Sequence, residues 1–225
     1  MESSEINDIF SSIHGRYDIM NHLFSLWIDT LWRKSAAEAA LSGGPRILDI
    51  ATGTGDLAIE ISMLASKAGK KVKICGVDFN KSMLAIGVRK AKGMGITFDI
   101  GNAHRLPYKS SSFDVAVSAF ALRNLEPLEL AMSETYRVLS PDGKFVFVDM
   151  ALPDGRFSRD FFNAYLGLME FVGSSVNGKA YSWLAHSIRS FDVNRASRFA
   201  KKIGFNGVKV RRLTTGIAYM MTGRK

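Results

Sequence analysis

The fold is decided by residues 46–57, which read Arg46-Ile47-Leu48-Asp49-Ile50-Ala51-Thr52-Gly53-Thr54-Gly55-Asp56-Leu57. The apolar run at 47–51 has the length of a buried parallel strand, and a helical pattern begins directly after Gly55. Glycines at 53 and 55 allow a sharp turn and a close approach of the backbone to a ligand, beside the free N–H groups of a helix N-terminus. We therefore predict a strand, a nucleotide-binding loop and a helix, with an ordinary strand-to-helix turn as the alternative.

A second acidic position follows at the end of the next apolar segment. Residues 72–79, Val72-Lys73-Ile74-Cys75-Gly76-Val77-Asp78-Phe79, predict another buried strand, and Asp78 lies about twenty residues past the glycine loop. A carboxylate at this place can accept hydrogen bonds from both hydroxyls of a ribose. Because residues 53–58 also fit the dinucleotide pattern G-x-G-x-x-G/A, these two features leave both NAD and S-adenosylmethionine open.

Strands and helices alternate along the rest of the chain. Predicted strands cover 46–51, 72–78, 96–100, 114–119 and 143–150, and predicted helices cover 55–68, 80–93 and 126–139. A helix that begins at Asp192 or Asn194 and ends at Gly204 is followed by an antiparallel hairpin, with strands at 208–213 and 217–221. The predicted fold is an α/β, Rossmann-like, doubly wound sheet of seven strands, parallel except for an antiparallel C-terminal strand. Right-handed crossovers place any ligand at the carboxyl edge of this sheet.

Two further segments lie outside this alternation, and we assign them to the same single domain, 1–225. Residues 1–41 predict two helices, 6–13 and 19–41. The polar and aromatic turn at 14–18 either lies over a cofactor or only connects these helices. Residues 153–190 form a helical insertion rich in aromatic side chains, which either caps an acceptor pocket or is a plain core helix.

The composition narrows the class of protein. The chain has 225 residues, 47% of them hydrophobic, which is enough to bury one sizeable core. Its single cysteine excludes an intrachain disulfide, and its four histidines lack the spacing of metal ligands, so we predict no metal. No segment approaches the roughly twenty apolar residues of a membrane-spanning helix. We expect a cytoplasmic protein.

The net charge of +9 is placed unevenly, because residues 156–225 carry +10 and residues 1–155 carry −1. A basic region attracts nucleic acid or an anionic membrane surface, and it can also serve only to keep the protein in solution. Of the two partners, the membrane is favoured over nucleic acid. The sequence leaves the oligomeric state open, with a homodimer as one option.

Two polar positions follow the third and fourth predicted strands. Asn102 and Ala103 occupy the place where class I methyltransferases hold the adenine of S-adenosylmethionine, and an NAD-binding half-fold has no need for such a turn. The alternative is a surface turn in which asparagine tolerates an unusual backbone angle. After the fourth strand, Arg123 and Asn124 lie at the carboxyl edge, where a methyl acceptor would bind. These positions favour S-adenosylmethionine over NAD.

Over nearly the whole chain the sequence resembles the quinone-biosynthesis C-methyltransferases, which methylate demethylmenaquinol and polyprenyl-methoxy-benzoquinol. The generic part of the resemblance is the glycine loop. The more specific parts are Phe120-Ala121-Leu122-Arg123-Asn124 and Leu213-Thr214-Thr215-Gly216-Ile217. Further matching segments are Arg16-Tyr17-Asp18-Ile19-Met20-Asn21, Asn102-Ala103 with Leu106-Pro107, Tyr136-Arg137-Val138-Leu139, Ala180-Tyr181-Ser182-Trp183-Leu184 and Ser187-Ile188-Arg189-Ser190-Phe191.

The resemblance implies S-adenosylmethionine as the cofactor, S-adenosylhomocysteine as its product and a polyprenylated quinol as the substrate. The implied cofactor-binding residues are Asp49, Thr52, Gly53, Thr54, Gly55, Asp78, Phe79, Asn102, Ala103 and Ala119. The implied catalytic residues are Arg123, Asn124, Tyr181 and Asp149. The sequence departs from the family at Ala119, Ala121, Trp183 and Asp149, where serine, glycine, tyrosine and glutamate are common. These departures bear on which quinol is used more than on the chemistry.

Methylation of an aromatic carbon requires that a neighbouring hydroxyl lose its proton, which makes the ring nucleophilic. Arg123 can stabilise the developing phenolate, but its high pKa makes it a poor base. Water, Asp149, His186 or Tyr181 could accept the proton. A long isoprenoid tail implies peripheral contact with the inner face of the cell membrane. Alternatives are a methyltransferase for another small molecule or RNA, a non-catalytic nucleotide-binding subunit and, third, an NAD-dependent oxidoreductase.

Overall fold

The computed structural model describes residue 25 and residues 27–225, except for the side chains of residues 175–177. Its helices are α1 (Asp29–Ala40), α2 (Asp56–Lys67), α3 (Lys81–Lys90), α4 (Leu128–Val138), α5 (Arg156–Ser190) and α6 (Val193–Ile203). Its strands are β1 (Arg46–Ile50), β2 (Lys73–Asp78), β3 (Ile96–Ile100), β4 (Phe113–Ala119), β5 (Leu139–Met150), β6 (Asn206–Leu213) and β7 (Ala218–Arg224). The predicted helix at 6–13, the turn at 14–18 and the first part of the helix at 19–41 lie outside the described residues.

The seven strands form one sheet in the order β3-β2-β1-β4-β5-β7-β6. Strands β1 to β5 pair in parallel, and β7 pairs antiparallel with both β5 and β6. The strand order reverses between β1 and β4, which is the point where open α/β sheets bind ligands. The predicted fold class and the C-terminal hairpin are confirmed. The last strand of the chain, β7, lies inside the sheet, and β6 forms the edge strand next to it.

The central strands are buried on both faces, which explains their nearly continuous apolar sequence. Ile47 and Val115 point to one face, where they pack with α1, α2 and α5. Leu48 and Ala116, one residue further along each strand, point to the other face and pack with α4 and α6. Because successive side chains alternate between faces, two adjacent apolar residues supply both cores.

Side-chain caps fix the start of two helices. Asn80 accepts a hydrogen bond from the backbone N–H of Met83 over 3.0 Å and so begins α3 directly after Asp78. Asp192 accepts one from the N–H of Asn194 over 2.8 Å at the start of α6, which ends at Gly204 with a φ of 118°. The capping residue of α6 is therefore Asp192 rather than Asn194.

Helix α5 spans 35 residues but doubles back on itself. Arg189 Nη1 lies 2.8 Å from Glu170 Oε2, whereas a straight helix would separate residues this far apart by about 28 Å. The ring of Tyr181 also lies against the backbone of Gly173. The predicted insertion is therefore a helical hairpin with its turn between Glu170 and Ala180, and both arms contribute to the core on the α1 side of the sheet. No helix among residues 25 and 27–225 is long and apolar enough to cross a membrane.

Candidate active site

A groove runs along the carboxyl ends of β1, β2 and β4. It consists of three adjoining clefts with volumes of about 460, 500 and 350 Å³, and Ala51 lines all three. Asp78, Phe79 and Asn124 line both of the larger clefts. The groove lies where the strand order reverses, which is where open α/β sheets commonly bind small molecules.

The loop after β1 takes backbone conformations that bring it close to any occupant of the groove. Gly55, which precedes α2, has a φ of 82°, and a Cβ at this position would lie 3.0 Å from the ring of Phe98. Gly53 has a φ of 56°. Ala51 is also left-handed, with a φ of 53°, which is strained for a residue other than glycine. Strain of this kind is typical of ligand-binding turns.

The carboxylate of Asp78 is held between the loop and α3. Its Oδ2 accepts a hydrogen bond from the N–H of Gly53, and its Oδ1 accepts one from the N–H of Asn80, each over 2.8 Å. Burial raises the pKa of Asp78, and these backbone donors oppose the rise. Each oxygen keeps a second lone pair, so the carboxylate can also accept from two hydroxyls of a ribose.

Asp49 is the other buried acid of the groove, in the smallest cleft. The hydroxyl of Thr52 donates to its Oδ2 over 2.6 Å. Burial raises the pKa of Asp49 to about 7, and the charge of Asp78 also raises it, whereas Thr52, the N–H of Ala58 and the charge of Arg33 lower it. A cationic group in this cleft would favour the ionised carboxylate.

The turn after β3 forms the far end of the groove. Asn102 Oδ1 accepts a hydrogen bond from the N–H of His104 over 2.8 Å, and Ala103 is buried. Asn102 and Ala103 line the cleft of about 460 Å³ together with Phe79, whose ring is partly exposed. Glu134 on α4 accepts from the N–H of Leu106 over 2.7 Å, which ties the turn to the domain. A flat ring can therefore lie between Phe79 and a fixed loop.

Arg123 and Asp149 form a buried ion pair at the ends of β4 and β5. Arg123 Nη1 donates to Asp149 Oδ1 and, over 3.0 Å, to the carbonyl of Phe120. Its Nε donates to Ser187 Oγ on α5 over 3.2 Å, and its backbone N–H donates to Asp149 Oδ2 over 3.1 Å. Burial raises the pKa of Asp149, and the charge of Arg123 lowers it. Neither residue lines the three clefts, and Arg123 Nη2 donates to none of the described residues.

Asn124, the neighbour of Arg123, does line the groove. Its side-chain Oδ1 is buried and has no hydrogen-bond partner among the described residues. A buried amide oxygen without a partner costs free energy of about 1–3 kcal/mol, so such a group indicates a missing ligand or water. Asn124 therefore marks the place in the groove where a donor is expected.

The remaining predicted residues fall in two places. Thr52, Gly53, Thr54 and Ala119 line the smallest cleft, together with Arg33 of α1. Tyr181 is buried in the core between α5 and the sheet and lines none of the three clefts. The sequence analysis missed Arg33 and Ser187. A signal for Arg33 exists, because Asp29 and Arg33 are spaced by four residues on a helix and form an ion pair.

The residues of the groove fit S-adenosylmethionine on chemical grounds. The carboxylate of Asp78 suits a ribose, the turn at 101–104 suits an adenine, and the strained glycine loop allows a close approach of the backbone. Among residues 25 and 27–225, no group of three His, Cys, Asp or Glu side chains is placed to hold a metal ion. The fold and the groove together are typical of class I S-adenosylmethionine-dependent methyltransferases.

The comparisons with known proteins narrow this class to one family. The sequence pattern of the ubiE/COQ5 methyltransferase family matches residues 1–225, and the chain belongs to this family. Demethylmenaquinone methyltransferase of Deinococcus radiodurans is 38% identical over 227 residues, which cover 98% of this chain and 92% of that protein. The ubiquinone/menaquinone biosynthesis C-methyltransferase UbiE of Citrifermentans bemidjiense is 34% identical over 232 residues, which cover 100% of this chain and 97% of that protein.

A solved structure with the same fold is that of an S-adenosylmethionine-dependent methyltransferase from Thermotoga maritima. It superposes with a TM-score of 0.68 over 97% of this chain and 98% of its own, at 21% sequence identity. This likeness concerns the fold, and the family assignment comes from the sequence. The predicted enzyme class, cofactor and family resemblance are confirmed, and the predicted NAD-dependent alternative is set aside.

Proposed function

We propose that the protein transfers a methyl group from S-adenosylmethionine to a ring carbon of a polyprenylated quinol in menaquinone or ubiquinone biosynthesis. The conversion of demethylmenaquinol to menaquinol is the preferred reaction. Two sets of observations support this proposal. Relatives over the full length carry names for this chemistry, and the groove offers a polar group suited to a quinol hydroxyl.

The observation that carries the proposal is the unpartnered Oδ1 of Asn124. This atom is buried at the wall that both larger clefts share, next to Asp78 and Phe79. A quinol has two hydroxyls, and only the one beside the methylated ring carbon must lose its proton. The hydroxyl across the ring keeps its proton, so its donation to Asn124 satisfies the buried oxygen and fixes the orientation of the ring, which is the main contribution an enzyme makes to such a transfer.

Electrostatic stabilisation of the ring comes from Arg123. Bound S-adenosylmethionine supplies a methyl group activated by a positive sulfonium. As the hydroxyl beside the methylated carbon loses its proton, negative charge develops on that oxygen. Arg123 lines none of the clefts, so we propose that its buried positive charge, fixed one residue from Asn124, stabilises this oxygen without a direct hydrogen bond.

Asp149 has a positioning role in this scheme. It is fully buried, accepts hydrogen bonds from three donors and is paired with Arg123. A carboxylate occupied in this way holds the guanidinium in place and is a poor acceptor for a proton from the substrate. Tyr181 packs in the core, so we propose that water, rather than Asp149 or Tyr181, takes the proton of the hydroxyl. Once the methyl group is on the ring, the hydrogen of the same carbon is lost and the oxygen regains a proton, so that one proton is released overall.

We further propose that the protein works at the inner face of the cell membrane, from which a polyprenylated substrate is reached. The first arm of α5 presents five apolar side chains within an arc of about 100°. Phe157, Phe161 and Phe171 are 87%, 72% and 78% exposed, and Leu168 and Val172 are more than half exposed. An exposed apolar face of this kind, in a region with a charge of +10, suits an anionic membrane surface.

The proposed reaction is tested by mass spectrometry. The protein is incubated with S-adenosylmethionine and either reduced demethylmenaquinol or reduced polyprenyl-methoxy-benzoquinol. Gain of one methyl on a ring carbon of either quinol is expected, with the naphthoquinol preferred. If S-adenosylmethionine binds and neither quinol gains a methyl, the proposed substrate is wrong, and a different acceptor or a non-catalytic role takes its place.

The membrane contact is tested by sedimentation with vesicles. Wild type is expected to bind vesicles that contain anionic lipid, and less so as salt is raised. A triple variant, Phe157→Ser/Phe161→Ser/Phe171→Ser, should lose this binding. Leu130→Ser, which changes an apolar residue on α4 that is about half exposed, is the control. Equal binding of the triple variant and wild type would contradict the proposed face.

A further inference from the structure

Arg33 is a buried arginine whose hydrogen-bonding capacity is mostly unused. It lies on α1 with only 7% of its surface exposed, and it lines the smallest cleft together with Asp49. Its Nη1 donates to Asp29, one turn earlier on the same helix. Its Nη2 lies 3.7 Å from Asp56 Oδ2, beyond hydrogen-bond distance. Of its five N–H donors, one makes a hydrogen bond with the described residues.

The guanidinium is held rigidly despite this low number of hydrogen bonds. Its central carbon lies over the Phe120 ring, 4.8 Å from the ring centre, which is a cation–π contact. Phe120 in turn packs against Trp32, with ring centres 6.1 Å apart. Phe120 has a left-handed φ of 60° directly after β4, which turns its ring toward α1. An arginine fixed in this way is preorganised to bind a ligand.

The smallest cleft therefore has an anionic group and a cationic group on its walls. Asp49 lies at the end of β1 beneath the glycine loop, and Arg33 comes from α1. An α-amino acid carries both a cationic ammonium and an anionic carboxylate, so it matches this pair of charges. The planar fork of an arginine binds a carboxylate through two parallel hydrogen bonds. The methionyl part of S-adenosylmethionine is such a zwitterion, and the neighbouring cleft holds the residues suited to its ribose.

We infer that Arg33 binds the α-carboxylate of the methionyl group of S-adenosylmethionine, opposite an ammonium site at Asp49. The inference rests on the use of this cofactor and is independent of the identity of the methyl acceptor. It assigns a role to a helix that precedes the glycine loop in the chain. Arg33 thereby selects ligands with an amino-acid tail over nucleosides that lack one.

The test compares two ligands that differ in one group. Calorimetry measures the dissociation constants of S-adenosylmethionine and of decarboxylated S-adenosylmethionine, which lacks only the α-carboxylate. Wild type should bind the first ligand more tightly. Arg33→Gln should weaken its binding by about 10–100-fold, because hydrogen bonds to charged groups contribute about 1.5–3 kcal/mol. The affinity of Arg33→Gln for the decarboxylated ligand should stay within about twofold of the wild-type value.

Three further variants of the protein are measured with the same two ligands. Arg46→Gln removes an arginine at the amino end of β1, at the other end of the strand from the groove, and should leave both affinities unchanged. Arg33→Lys keeps the charge without the planar fork and should give an intermediate loss for the ligand with a carboxylate. Asp29→Asn/Arg33→Gln avoids an uncompensated buried carboxylate at Asp29, so it tests the same contact if Arg33→Gln fails to fold.

The outcomes separate this inference from the proposed reaction. Selective loss of affinity for the ligand with the carboxylate supports the role of Arg33. Equal loss for both ligands, or no loss for either, overturns it. Methylation of a quinol by wild type is measured separately, so a failure of the proposed substrate leaves the result for Arg33 intact, and the reverse also holds.

Discussion

Two charged groups of the site are held in different ways: Asp78 in the wall of the groove, which we call the cofactor half, and Arg123 beside Asn124 but outside the clefts, which we call the acceptor half. In the cofactor half, Asp78 is anchored by backbone N–H groups of the neighbouring loop and helix. In the acceptor half, Arg123 is anchored by side chains from distant segments, Asp149 on β5 and Ser187 on α5. The first arrangement follows from local sequence and the second needs the assembled fold. We therefore expect substitutions in the cofactor half mainly to weaken binding, and substitutions in the acceptor half to reduce stability as well as turnover.

The largest effect is expected for Arg123→Gln. This change leaves the carboxylate of Asp149 fully buried without its partner, which should lower the free energy of unfolding by about 3–5 kcal/mol. Chemical denaturation measures this change in the free energy of unfolding. The exposed ion pair of Arg46 with Asp114 is the control, and Arg46→Gln should change the stability little.

A double variant separates stability from chemistry in the same half. Arg123→Gln/Asp149→Asn removes both charges and should recover most of the lost stability. Its turnover should remain low, because no cation is left to stabilise the developing negative charge on the ring oxygen. Recovery of both stability and turnover would show that Arg123 has a structural role alone.

A smaller effect is expected in the cofactor half for Asp78→Asn. The amide keeps one acceptor for the N–H groups but no longer offers a charged acceptor to a ribose, so S-adenosylmethionine should bind about 10–100-fold more weakly. The stability without ligand should fall by about 1–3 kcal/mol, less than for Arg123→Gln, because the amide replaces one of the two acceptor oxygens and leaves one buried N–H unpaired. Asp114→Asn, at the amino end of β4 and so far from the groove, should leave the affinity for S-adenosylmethionine unchanged. A loss of stability for Asp78→Asn as large as that for Arg123→Gln would erase the contrast between the two halves.

The smallest effect is a pH dependence from Asp49. Its pKa of about 7 lies above the ordinary value of 3.8, so the folded protein retains this proton more strongly than the unfolded chain. The free energy of unfolding should therefore fall as pH rises from about 4 to 7, and Asp49→Asn should lack this component. Binding of S-adenosylmethionine should show the opposite trend and strengthen as pH rises through 7, because its ammonium favours the ionised carboxylate. Parallel trends in stability and affinity would contradict this role of Asp49.

The positions of the glycine loop and Asp78 could be predicted largely from the sequence. The glycine loop and Asp78 each lie directly after an apolar strand, and parallel strands bring their carboxyl ends to one edge. The ion pair of Arg123 with Asp149 was harder to foresee, because the two residues are 26 positions apart and both were considered as substrate contacts. The pairing depends on β4 and β5 being neighbours, and the pattern of apolar residues does not specify which charges meet.

Two other features depend on tertiary packing that leaves no local pattern. Helix α5 reads as one continuous helical segment, and the contacts of Glu170 with Arg189 and of Gly173 with Tyr181 reveal that it folds back. Arg33 follows Asp29 by four residues, and this spacing on a helix is typical of an exposed ion pair. Its burial follows from the packing of α1 against Phe120, a residue nearly ninety positions away in the chain.

The most direct test of the account is the effect of Asn124→Ala on methyl transfer to reduced demethylmenaquinol, measured together with the affinity for S-adenosylmethionine. Asn124 lies at the junction of the two halves and has the one amide oxygen in the groove that we assign to the quinol hydroxyl. The account predicts an unchanged cofactor affinity and a loss of about tenfold in kcat/KM for the quinol, equivalent to one hydrogen bond. Unchanged kcat/KM, or a loss confined to cofactor affinity, would contradict it.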